Sequence, residues 1–98
     1  MSVSPDRALL GTFRRLTLGD APDPEELTAA FSLVLAGDAT PAQIAGLLIG
    51  LRVRGETPIE LAAVVRALMR AMVVLPAERP EELVDTCGTG GGSINTFN

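Results

Sequence analysis

Histidine, tryptophan and tyrosine are absent from this chain, and cysteine occurs once, at Cys87. Without an imidazole the span cannot build a histidine-activated nucleophile, so a catalytic reading of Cys87 fails and a buried thiol at a strand end is expected instead. One cysteine forms no intrachain disulfide, which fits a reducing compartment. Positive charge is also scarce: eight Lys+Arg stand against twelve Asp+Glu, for a net charge of −4. A nucleic-acid binder draws on a basic face that displaces counterions from phosphates, and this balance argues against one. No apolar run is long enough to cross a bilayer. The opening Met1-Ser2-Val3-Ser4-Pro5-Asp6 lacks the basic region and apolar core of a secretory signal. The expectation is a cytoplasmic chain with neither a nucleic-acid nor a membrane partner.

What remains is rich in alanine and leucine. The 98 residues are 47% hydrophobic and only 3% aromatic, which favours helices over strands. The length suits one small domain. A mean hydropathy of +0.33 is high for so short a chain. Either the apolar surface is buried unusually well, or part of it meets another segment or subunit.

Three stretches open alike: Asp23-Pro24-Glu25-Glu26, Thr40-Pro41-Ala42-Gln43 and Thr57-Pro58-Ile59-Glu60. In each, the first side chain can accept from an orphan N–H, and proline sits where its missing N–H costs nothing. The fourth residue can bond back to the cap. Ser4-Pro5 is a weaker version, and Gly19, Gly37 and Gly55 follow the periodic stretches where a helix can end left-handed. Four helices are predicted, over 5–17, 24–36, 41–54 and 58–74. Leu27, Ala30, Phe31, Val34 and Leu35 form one apolar stripe. Leu61, Val64, Val65, Leu68, Met69 and Met72 form another, read as core. The third helix carries Ile44, Leu47, Leu48 and Leu51, with Ile49 and Val53 off that line, so it is expected to sit centrally. Arg52, Arg54, Arg66 and Arg70 read as solvated helix-face charges. Arg66 and Arg70, one turn apart, invite an acidic partner.

The character changes after Leu75. Pro76-Ala77-Glu78-Arg79-Pro80 cannot continue a helix, and Leu83-Val84-Asp85-Thr86-Cys87 reads as a short strand. A glycine-rich turn follows, the usual opening of an α/β unit. The expected organisation is a helical domain over 1–75, a linker over 76–82 and the start of an α/β domain over 83–98. The fold class is thus mainly α: four helices, then the first strand and glycine loop of an incomplete α/β domain.

Gly88-Thr89-Gly90-Gly91-Gly92 holds four glycines in five residues. Glycines allow positive φ and close approach, so successive N–H groups can form an anion nest. Thr89, Ser93 and Thr96 add hydroxyls, and Asn95 and Asn98 add amides. Together they suit a phosphate or pyrophosphate, although taken alone such a loop also fits a flexible tail. It lacks both the lysine of a P-loop and the spacing of a dinucleotide-binding turn.

The run from Asp85 to Asn98 resembles the signature D-x-x-GTGGD-x-x-x-T-x-N with which anthranilate phosphoribosyltransferases bind phosphoribosyl pyrophosphate (PRPP). Upstream, Gly37-Asp38, Gln43-Ile44, Leu51-Arg52, Gly55-Glu56-Thr57 and Glu60 are similar to the helical domain of that family, in the same order. Nucleoside phosphorylases share the helical pattern, but their loop carries Lys-His-Ser-Thr-Gly-Gly. The resemblance implies transfer of phosphoribose from PRPP to the amine of anthranilate, with release of pyrophosphate, in tryptophan biosynthesis. It implies that Gly88 touches PRPP and anthranilate, that Gly91 and Gly92 line the pyrophosphate, and that Thr96 and Asn98 contact PRPP further on. It implies Mg²⁺ as cofactor, with its acidic ligands beyond Asn98, and no catalytic or metal-binding side chain within the span. It implies a homodimer formed through the helical domain. One departure stands out, because the family has aspartate where this chain has Gly92. A helical association module without activity, or a relative of the nucleoside phosphorylases, is the alternative.

Overall fold

The structure, a computed structural model, describes residues 4–88 and 90–92. Four helices, α1 (Pro5–Thr17), α2 (Pro24–Leu35), α3 (Pro41–Arg54) and α4 (Pro58–Ala71), are followed by a 3₁₀ turn, Pro80–Glu82. Each begins with proline in its first turn, as the repeated opening predicts. Thr40 with Gln43 and Thr57 with Glu60 form complete capping boxes. The third opening differs. Asp23 Oδ1 accepts from the N–H groups of Glu25 and Glu26 at 3.0 and 3.1 Å, but Glu26 does not bond back. Its carboxylate lies against Gly11 of α1, where an added Cβ would stand 2.9 Å from it. Two carboxylates at one cap repel, so this residue serves the α1–α2 contact instead.

The first two helices end in Schellman motifs. Gly19 and Gly37 take φ of +76° and +81°. The N–H groups of Asp20 and Asp38 then reach back to the carbonyls of Arg15 and Leu33 at 2.8 and 3.1 Å. At α4 the chain departs from the expected end at residue 74. Met72 is already extended, at φ −67° and ψ 147°. Val73 and Val74 are β-branched and exposed, and Pro76 biases its predecessor away from helix, so nothing supports another turn.

Helix α2 is the centre of the bundle, with α1 and α4 packed against it and α3 packed on α1. The core consists of Leu9, Leu27, Ala30, Phe31, Leu47, Leu51, Ala63 and Ala67. The expectation of a central third helix is therefore corrected. Only Leu47 and Leu51 of α3 are buried, while Leu48, Ile49 and Val53 are 51%, 61% and 83% exposed. The helix rests on α1 through small residues instead, with Phe13 against Gly46 and Leu16 against Gly50. Glycines one turn apart let the two backbones approach closely, and their outward neighbours are left in solvent.

The inward face of α4 is also corrected. Glu60, Ala63 and Ala67 are buried and Val64 is half-buried, whereas Leu61, Val65, Leu68, Met69 and Met72 face outward. Small Ala63 and Ala67 bring α4 close enough for the Thr28 hydroxyl of α2 to donate to the Ala63 carbonyl at 3.1 Å. No strand occurs among the described residues. Leu83 is extended, at φ −73° and ψ 140°, but a strand exists through pairing, and Leu83–Cys87 has no extended neighbour among them.

Candidate functional site

The glycine segment leaves the bundle beyond the 3₁₀ turn, which Arg79 and Glu82 brace with a 3.0 Å surface ion pair. The Asp85 side chain turns back on its own backbone and accepts from the Cys87 N–H at 2.8 Å. This local turn orients the chain just ahead of Gly88 without help from any sheet. Gly88, Gly91 and Gly92 are exposed, and Gly90 has φ +74°, a conformation that favours glycine. A Cβ added at Gly90 or Gly91 meets no atom within 4 Å, so both backbones are open to a ligand. Of the remaining anticipated contacts, Thr96 and Asn98 lie outside the described residues, as do Thr89, Ser93 and Asn95.

Cys87 is a free and exposed thiol, which overturns the buried strand-end reading. Burial there requires a sheet or helix packed over Leu83–Cys87, and both Leu83 and Val84 face solvent. For a magnesium ion the donor set does not fit. No group of three His, Cys, Asp or Glu converges among the described residues. Gly92 supplies no side chain where a carboxylate is expected. What Gly88, Gly90, Gly91 and Gly92 can offer is backbone N–H groups to an anion.

The best-organised polar cluster lies elsewhere. Glu60 is 2% exposed, accepts from the Thr57 N–H at 2.7 Å, and pairs with Arg54 Nη1. Arg54 therefore is not the solvated charge its sequence position suggested. Its cation stands in the last turn of α3 and the carboxylate in the first turn of α4, so each complements the dipole of its own helix. The pair locks the α3–α4 corner. A sequence signal existed: a basic residue before Gly55 and a capping glutamate after it flank one short turn. Arg52 stays exposed, with Glu56 at 3.8 Å, and Arg66 and Arg70 are exposed as expected.

Residues 12–72 match the model of the glycosyl transferase family, helical bundle domain. The chain is 45% identical to an anthranilate phosphoribosyltransferase of Halorhodospira halophila over 96 residues, covering 92% of this chain and 27% of that protein. It is 43% identical to the enzyme of that name from Azospirillum brasilense over 84 residues, 86% of this chain and 23% of the relative. With that of Desulfitobacterium hafniense it shares 53% over 78 residues, 76% and 22%. The chain thus spans about a quarter of the length of the curated relatives it matches. No solved structure matches it.

Proposed function

Because the chain belongs to the glycosyl transferase family, whose helical bundle domain it carries over residues 12–72, we propose that it serves as the helical and loop-bearing part of an anthranilate phosphoribosyltransferase. The reaction moves phosphoribose from PRPP to the amine of anthranilate and releases pyrophosphate, in the cytoplasmic synthesis of tryptophan. The observation that carries this reading is the 43–53% identity to three relatives that bear that name.

The chemistry asks little of side chains within this span. The ribose carbon loses pyrophosphate through a transition state of oxocarbenium character, so catalysis rests on holding the leaving group and placing the amine in line. A neutral aromatic amine needs little base, and the lack of histidine is no obstacle. Gly88, Gly91 and Gly92 offer backbone N–H dipoles to PRPP, Gly88 also meets anthranilate, and Thr96 and Asn98 add donors. Magnesium is held by residues beyond Asn98.

The chain also pairs with a second copy through the helical domain. The outward face of α3, with Leu48, Ile49 and Val53 in solvent, supports that reading. This face carries no uncompensated charge cluster, since Arg52 has Glu56 beside it.

The test is a chimera in which these residues replace the corresponding segment of the Halorhodospira halophila enzyme. The expected result is consumption of anthranilate, followed by its fluorescence, that depends on PRPP. A companion chimera with Gly92→Asp separates a loop defect from a wrong assignment. If both fold and neither consumes anthranilate, the reading is wrong.

A further inference from the structure

We draw no further inference here: the strongest candidate, the apolar groove between the C-terminal halves of α2 and α4 lined by Leu35, Val65, Leu68, Met69, Ala71 and Met72, carries none because nothing in the structure shows what covers it.

Discussion

Adjacent leucines on α3 give a sharp test of which face is inward. Leu47 is fully buried, whereas Leu48 is 51% exposed. Leu47→Ala removes three carbons from the core, about 2.4 kcal/mol at about 0.8 kcal/mol each. The unfilled space beneath α1 raises the loss into the range of about 2–5 kcal/mol. Leu48→Ala gives up about half the transfer term and leaves no cavity, so about 1 kcal/mol is expected. In a domain of this size each kcal/mol moves the midpoint by about 4–8 °C. Leu47→Ala should therefore melt at least about 10 °C lower, and a total stability of about 5–15 kcal/mol leaves little reserve. The chain has no tryptophan or tyrosine, so far-ultraviolet circular dichroism is the probe. Melts belong at a concentration where sedimentation shows a monomer. Equal losses for the two variants under that condition would refute the assignment of α3 as an edge helix turned by its Gly46–Gly50 face onto α1.

Other expectations concern the corner, the helix contact and the loop. Glu60→Ala strands the Arg54 guanidinium and should cost about 3–5 kcal/mol in urea denaturation; Thr57→Ala removes only a cap and should cost about 1 kcal/mol. Gly46→Ala places a methyl 3.4 Å from Phe13, an ordinary contact. It should therefore raise stability by about 0.5–1 kcal/mol through helix propensity, and a loss would mean that α1 and α3 sit closer than described. In the chimeric enzyme Gly91→Ala should raise the KM for PRPP with little change in anthranilate saturation, whereas an unchanged KM would remove Gly91 from the pyrophosphate site. Calorimetry of the 98-residue chain with Mg²⁺ and PRPP should show no micromolar binding, because no strand or helix packs on the loop among the described residues.

Helix starts were legible because they are decided locally, whereas the end of α4, which no glycine marks, was placed three residues too late. A cap, a proline and a terminal glycine act within four residues, and all four starts lie at the predicted prolines. Which face turns inward was legible only for α2, where Leu27, Ala30 and Phe31 are both large-to-medium apolar and buried. On α3 the stripe was right for Leu47 and Leu51 and wrong for Leu48, and on α4 most of the large residues of the stripe face outward. Close approach there uses small residues, Gly46 and Gly50 against α1 and Ala63 and Ala67 in the core, and leaves Leu48, Leu61, Leu68, Met69 and Met72 outward. A stripe of large apolar residues states that a face will be covered, and it does not state by what. The high mean hydropathy therefore reflects apolar residues left on the surface as much as core.

The glycine segment differs, because its chemistry is inferred from a motif and its placement depends on more than the motif. Four glycines beside threonine and serine suit a phosphate-like anion as readily as a flexible tail, and only the resemblance to the family signature singles out pyrophosphate. Geometry follows only when strands behind the turn and a helix start after it hold successive N–H groups on one point. Within the described residues the sole ordering contact near the turn is Asp85 to the Cys87 N–H, worth far less than the backbone entropy of the glycines it precedes. By that reasoning a glycine turn of this kind binds its anion only where a strand and a helix start hold its dipoles in one direction.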